Sequence, residues 1–146
     1  MATQTTTTAN KKFVKEFIDR VFNEHHAEAT RDYFSSDVQW HGGTLGTING
    51  SEAMTSFYTA LFAALPDLHA TTLAVVADED TVWCRFAVEG TSEGSLFGFA
   101  ATGKTVRWDE IDTYRVANGK ITEEWSSPDM TNILYQLGAY TPPWIS

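Results

Sequence analysis

The sequence predicts an α+β fold, a cone-shaped curved sheet, mixed or antiparallel, wrapped around N-terminal helices. Three features carry this expectation. Apolar residues recur at helical spacing up to Leu65, whereas strand-like segments fill Leu68 to Pro128. Asn118-Gly119 joins two of those segments as a strong hairpin signal. The length of 146 residues fits one domain with one sizeable core. Residues 10–146 are expected to form that single domain, and the polar residues 1–9 a disordered tail.

The elements follow in order. Asn10 can cap a helix that runs to about His26, with Phe13, Phe17, Ile18, Val21 and Phe22 on its apolar stripe. A short helix is expected over Ala27 to Phe34, then a short strand over Asp37 to His41. The loop from Gly42 to Gly46 has glycines that permit unusual backbone angles. Ser51 is placed as the cap of a helix through about Leu65, its inner face formed by Met54, Phe57, Tyr58, Leu61 and Phe62. Pro66 ends it, because the residue before a proline leaves the helical region. Two strands follow, Leu68 to Ala77 and Thr81 to Gly90, turning at Asp78-Glu79-Asp80. Thr91 to Gly103 is glycine-rich and reads as a loop or a bulged edge. Beyond the hairpin, Pro128 can start a short helix that Gly138 stops. The apolar tail from Ala139 to Ser146 is expected to cover the cavity mouth or a partner subunit.

The hairpin holds the functional signal. Val106, Trp108, Glu110, Asp112, Tyr114 and Val116 share one strand face, since side chains repeat every second residue. This is the more apolar face, yet it carries two carboxylates in its middle. A carboxylate on a face that is to be buried is costly unless it is paired, protonated or in a wet cavity. Such a conflict between pattern and residue type marks a candidate site.

Composition narrows the function classes. The net charge of −9, with no Lys/Arg cluster, argues against nucleic acid and anionic membrane as partners. No apolar run is long enough to span a membrane, and the polar start lacks a signal-peptide core. Cys84 is the lone cysteine, so an internal disulfide is impossible and a reducing cytoplasm is the natural setting. An aromatic share of 13% is more than a small core needs and suits the walls of a ligand cavity. The few histidines are not at ligand spacing, so no metal site is expected. No serine elbow or phosphate-binding loop is visible either.

Three segments resemble the SnoaL-like polyketide cyclases, within the nuclear-transport-factor-2-like superfamily of cystatin-like α+β barrels. They are Phe62-Ala-Ala-Leu-Pro-Asp-Leu68, Gly90-Thr-Ser-Glu-Gly-Ser-Leu-Phe-Gly-Phe-Ala-Ala-Thr-Gly-Lys104, and Tyr114 to Asp129 followed by Leu134-Tyr-Gln-Leu-Gly138. The second is similar to the family's GTHxGxFxGxPPTGK. The resemblance spans about residues 10 to 138. It implies a cone-shaped barrel, a homodimer, an apolar cavity for a hydrophobic small molecule, and no metal or organic cofactor. Family cyclases close a ring by an intramolecular aldol step, using a buried aspartate as acid/base. On the same resemblance that aspartate falls at Ser126, the cavity glutamine and histidine at Glu110 and Asp112, and the histidine of GTH at Ser92. The cavity position is kept while its polar set is exchanged.

Hairpin register decides which residues join the two acids. A two-residue turn pairs Tyr114 with Glu123 and Asp112 with Trp125; a three-residue loop pairs Glu110 with Ser126 and Asp112 with Glu124. The resemblance favours the second. Either brings a third carboxylate close, and crowded carboxylates in a dry pocket cannot all ionise at neutral pH.

The candidate catalytic residues are therefore Glu110, Asp112, His41 and Asp129. His41 ends a strand beside the glycine loop and is either a proton shuttle or a rim histidine. Asp129 follows Pro128 at a helix start, where it favours the dipole, and the resemblance puts it near the pocket rim. Trp40, Phe57, Trp83, Trp108, Tyr114 and Ser126 are the candidate ligand contacts, the large rings serving as core, cavity wall or both. His25 and His26 fall at a helix end and read as structural. The function expected is a cofactor-independent cyclase, isomerase or hydrolase acting on a polyketide- or terpenoid-like molecule. The alternative is a small-molecule binding protein without turnover. A homodimer is expected because the outer sheet face also carries apolar residues, including Ile111 and, depending on register, Trp125.

Overall fold

The structure is a computed structural model that describes residues 4–145. Helix α1 (Gln4–Phe17) continues into a π-helical segment, Ile18–Asn23. A single 3₁₀ turn, Ala27–Ala29, leads into the one-turn helix α2 (Thr30–Tyr33). Strands β1 (Phe34–His41) and β2 (Thr47–Asn49) flank the glycine loop, and α3 (Ser51–Ala64) follows. Then come β3 (His69–Asp78), β4 (Thr81–Thr91), β5 (Thr105–Ala117), β6 (Lys120–Pro128) and helix α4 (Met130–Gln136). The six strands form one curved, unclosed sheet in the order β2-β1-β6-β5-β4-β3. All neighbours are antiparallel except β1 and β6, which run parallel. The expected α+β architecture with N-terminal helices inside the sheet is thus observed.

Alternation sets the two faces. Along β4 and β5 buried and exposed residues alternate almost without a break, which is the period-two geometry of a strand with one covered face. Phe17 joins the helices to that face. Its ring packs on Phe34 at 4.8 Å, Tyr33 at 5.9 Å, Tyr58 at 6.1 Å and Tyr114 at 6.1 Å. The π-helical segment is then fastened to β3. Asn23 accepts from Ala70 N at 2.8 Å and donates to Ala70 O at 3.0 Å. His25 reaches Leu68 O at 2.7 Å and stacks on Phe62. This histidine is structural, as expected.

Several boundaries differ from the sequence reading. Helix α1 begins at Gln4, so the expected tail through Ala9 is helical where described, and Asn10 is an interior residue; residues 1–3 lie outside the described residues. Ser51 does not cap α3. Gly50 takes that place at φ +93°, with its N–H bonded to Val38 O. The segment ending at Phe34 is shorter in helix than expected, since Phe34 already begins β1. Pro128 closes β6 instead of opening a helix, and Asp129 caps α4 by accepting from Asn132 N at 3.1 Å. The tail packs back against α4 around Tyr135 and contributes nothing to the central cavity.

The decisive departure is the hairpin register. Asn118 and Gly119 form the two-residue turn at positive φ, and Ala117 pairs with Lys120. One extra residue, Thr122, then bulges between the Val116–Ile121 and Arg115–Glu123 pairs. Beyond it, Tyr114 opposes Glu124, Asp112 opposes Ser126, and Glu110 opposes Pro128. Neither expected pairing is found. The bulge reverses which side chains face inward, because a one-residue slip moves a strand's whole set to the other face. Deleting Thr122 should therefore remove the bulge and leave a regular ladder in which Tyr114 still opposes Glu124 and Asp112 still opposes Ser126. The expected result is a retained cooperative thermal transition, measured by circular dichroism at 222 nm; its loss would show that the ladder cannot close without the bulge.

Candidate functional site

Between the sheet and the helices lies a cavity lined by Phe17, Ile18, Phe22, Trp40, Leu45, Phe57, Tyr58, Leu61, Ala70, Phe86, Trp108, Glu110, Asp112, Tyr114, Glu124, Ser126 and Pro128. Each element contributes for a local reason. Strand β5 aims Trp108, Glu110, Asp112 and Tyr114 inward by alternation, and the bulge brings in Glu124 and Ser126 from β6. Phe57, Tyr58 and Leu61 lie one turn apart on α3. The wider π-helical turn presents Ile18 and Phe22. The partly exposed Phe22, Leu45, Phe57 and Leu61 form the rim. The Trp40 ring lies over Gly42, where an added Cβ would meet it at 2.4 Å. That glycine is needed for space, since its φ of −113° is open to any residue. The free volume of about 60 Å³ holds a few waters. A drug-sized ligand needs several times more, so the rim side chains must swing aside to admit one.

Three carboxyl groups are buried here: Glu110 at 9%, Asp112 at 6% and Glu124 at 2% exposure. Among the described residues, no Lys, Arg or His lines the cavity with them. Burial pushes all three well above the usual carboxylate range, and each also feels a neighbour's charge: Asp112 on Glu110, Glu124 on Asp112, Glu110 on Glu124. Hydrogen bonds work against this to different degrees. Asp112 accepts from Ser127 N at 3.1 Å and from the Tyr114 hydroxyl at 3.3 Å. Glu110 accepts from Ser126 Oγ at 3.0 Å. Glu124 is offset by the Trp40 indole and by Asp112, yet its Oε1 is buried without a partner. Trp108 Nε1 favours the charged form of Glu110 but completes no hydrogen bond with any partner. Burial also raises Tyr58 and Tyr114, and lifts the Cys84 thiol, opposite Asp112 on β4, to about 12.

The structure thus brings together Glu110, Asp112, Trp40, Phe57, Trp108, Tyr114 and Ser126 as expected. It places three candidates elsewhere. His41 is outside because Trp40, its neighbour on β1, takes the inward side. It bonds Glu123 at 2.7 Å and Thr47 at 3.2 Å and stacks on Trp125, on the outer face of the sheet. Trp83 is 38% exposed on that same outer face, since Val82 and Cys84 point in. Asp129 is an exposed helix cap. Ser92, where the resemblance puts a family histidine, is also outside the cavity. Its Oγ accepts from Thr102 N at 3.1 Å and its backbone bonds Gly103 and Lys104, which closes the 92–104 loop.

An α+β sheet curved around helices, with ionisable groups sealed inside aromatic walls, defines a small-molecule cavity protein. The chain belongs to the SnoaL-like polyketide cyclase family, whose profile matches residues 12–137. Among solved structures it is similar to IdmH of Streptomyces antibioticus, a candidate polyketide cyclase, at 26% identity over 88% of this chain and 98% of that one (TM-score 0.75). AclR of Streptomyces galilaeus, a candidate hydroxylase, is 24% identical over 92% and 99% (TM-score 0.81). A candidate SnoaL-like polyketide cyclase of Jannaschia sp. CCS1 is 17% identical over 97% and 99% (TM-score 0.87). The two neighbours below 25% identity speak for the fold alone. No curated protein sequence matches. Family and fold together support a small-molecule-binding or catalytic role. Among the described residues, no helix is long and apolar enough to cross a membrane.

The raised acids set a pH dependence. In the unfolded chain they ionise at lower pH than in the folded protein, so the folded state holds more protons between the two values. Their contribution to stability is therefore lost as pH rises through that window. Glu124→Gln removes one such group while keeping its shape. It is expected to have a higher Tm than the parent at pH 8, with the difference shrinking towards pH 4, measured by scanning calorimetry. A difference independent of pH would show that Glu124 is not held protonated by the fold.

Proposed function

We propose that the protein is an acid/base enzyme that works without metal or organic cofactor on a hydrophobic, polyketide- or terpenoid-like carbonyl compound. The observation that carries this reading is the cation-free cluster of Glu110, Asp112 and Glu124 inside aromatic walls. Such a cluster titrates as a unit, and loses its protons in steps. Asp112 has the most donors, Ser127 N–H and the Tyr114 hydroxyl, so the first negative charge settles there. Glu110 and Glu124 then keep protons. A base and an acid stand side by side at neutral pH.

The reaction this suits is proton transfer beside a carbonyl. Asp112 takes a proton from the carbon next to the carbonyl. Glu110 gives its proton to the carbonyl oxygen, and an enol forms. Return of a proton to a different carbon gives an isomer; attack of the enol carbon on a second carbonyl of the same molecule closes a ring. Hydrolysis of an activated ester by the same pair is the remaining variant. Trp108 Nε1, buried without a partner, is available to hydrogen-bond the oxygen where charge develops. The apolar walls supply most of the binding. Ser126, where the family resemblance expects the acid/base aspartate, bonds Glu110 instead.

A homodimer in the cytoplasm belongs to the same reading. Leu73, Val76, Trp83 and Ile111 are exposed at 46%, 59%, 38% and 52% on the outer sheet face, a patch that a second copy would cover. Sedimentation at micromolar concentration is expected to give the mass of two chains; a single-chain mass would remove the dimer from the reading.

Glu110→Gln and Asp112→Asn keep shape and remove acid/base capacity. Turnover is expected to fall about a hundredfold or more, the usual scale for losing a positioned acid or base. Ligand affinity should change only a few-fold. The assay is single-turnover conversion of a ligand that co-purifies with the protein, followed by mass spectrometry. Retention of full function by both variants would identify a binding protein without turnover.

A further inference from the structure

One oxygen in the cavity has no role in the proton transfer above. Glu124 is 2% exposed, and its Oε1 has no hydrogen-bond partner. A buried polar oxygen without a partner is costly, on the order of 1–3 kcal/mol, and is rare in native structures. The group that would complete it must enter from outside the chain. Its surroundings say what kind of group that is. Glu124 stands between Trp40 on β1 and Tyr114 on β5, directly opposite both in register. Trp40 in turn packs on Phe57 at 5.0 Å. The titratable groups facing this point are Glu110, Asp112 and Tyr114 from β5, Cys84 from β4 and Tyr58 from α3. All are acids; none is a cation. The helix α1 and its π-helical extension contribute only Phe17, Ile18 and Phe22.

We propose that the ligand of this cavity carries a protonated amine, and that this ammonium sits against Glu124 Oε1 beside the Trp40 ring. An ammonium brings the donor that Glu124 lacks. It brings the positive charge that three neighbouring acids lack. A neutral hydroxyl would meet only the first of these two demands. This inference deepens the acid/base reading and rests on it for the location of the ligand. Glu124 holds the cationic end, while Glu110 and Asp112 act on the rest. The substrate class becomes a hydrophobic amine that also contains a carbonyl.

Proton balance gives the inference a signature. Glu124 is protonated in the empty cavity and ionised against the ammonium. Binding therefore releases one proton to solvent, and affinity for the amine rises with pH while the free acid remains protonated. A neutral ligand of the same shape releases none.

The test compares benzylammonium with benzyl alcohol by isothermal titration calorimetry between pH 6 and pH 8, in two buffers of different ionisation enthalpy. The Trp108 indole N–H resonance reports entry into the cavity. At pH 8 benzylammonium is expected to bind at least about tenfold more tightly than the alcohol, with proton release and a Kd that falls as pH rises. In Glu124→Gln the two ligands should bind within about twofold of each other. If the alcohol binds as tightly as the amine and shifts Trp108, the cavity takes neutral ligands; the cationic inference is overturned while the acid/base reading stands. If the preference survives in Glu124→Gln, the ammonium site is not at Glu124 and the inference is likewise overturned. If neither compound shifts Trp108, the cavity admits no ligand of this size and both readings are overturned.

Discussion

Everything in this fold depends on keeping three carboxyl groups out of water without a cation to meet them. Bare ionisation of all three in an apolar interior is far too costly, since an isolated buried carboxylate loses several kcal/mol even after relaxation. Protonation is the cheaper course. Holding one carboxyl protonated at pH 7 costs about 4 kcal/mol, given its ordinary pKa. Three would cost about 12 kcal/mol, as much as the whole net stability of a typical domain. The cluster therefore settles between the extremes, with part of its charge retained. The Ser126 hydroxyl, the Ser127 N–H and the Tyr114 hydroxyl stabilise that charge, and the resulting mixture of acid and base is chemically useful.

The fold meets this cost with a rigid frame. Phe17 holds the helices against Tyr114 and Phe34, and Asn23 and His25 lock the end of the π-helical segment to the start of the sheet. The bulge at Thr122 fixes which β6 residues face the cavity. The 92–104 loop is closed through Ser92, which does not line the cavity. A position that the family resemblance assigns to a histidine is here a small hydroxyl that stabilises a loop. The exchange of polar residues thus extends beyond the cavity, while the backbone frame stays the same.

Much of this was legible in the sequence. The hairpin turn was visible in Asn118-Gly119, and the conflict on β5 pointed directly to Glu110 and Asp112. What failed were features set by tertiary context. A bulge leaves no mark in a pattern of alternating residues, so Glu124 could only be placed by register, and both registers considered were shifted. Glu123-Glu124 nevertheless held a signal: adjacent strand residues face opposite ways, so one of the two had to face inward. His41 and Trp83 failed for the same reason in reverse. Each was singled out by residue type, while the burial of its neighbours on the strand decided its side. The cavity-lining role of Ile18 and Phe22 was hidden because a π-helical turn and an α-helical turn share one apolar stripe.

The exchange of one acid for another changes what the cavity can recognise. In the family pattern, as the resemblance implies it, a single buried aspartate stands with glutamine and histidine. Here the aspartate position is Ser126, and the acids stand where the glutamine and histidine would be. On that resemblance two acids replace the glutamine and the histidine, and the cavity histidine is gone. A cavity of that kind repels anions, and its donors to a neutral acceptor are the protonated carboxyls and Trp108 Nε1. Its unmet demand is for donors and for positive charge, and that demand is built into the strand register itself. The same bulge that brings Ser126 to Asp112 also brings Glu124 to Trp40, so the reacting groups and the charge-binding group cannot be separated by sliding one strand. Chemistry and recognition are therefore coupled through the register of one strand.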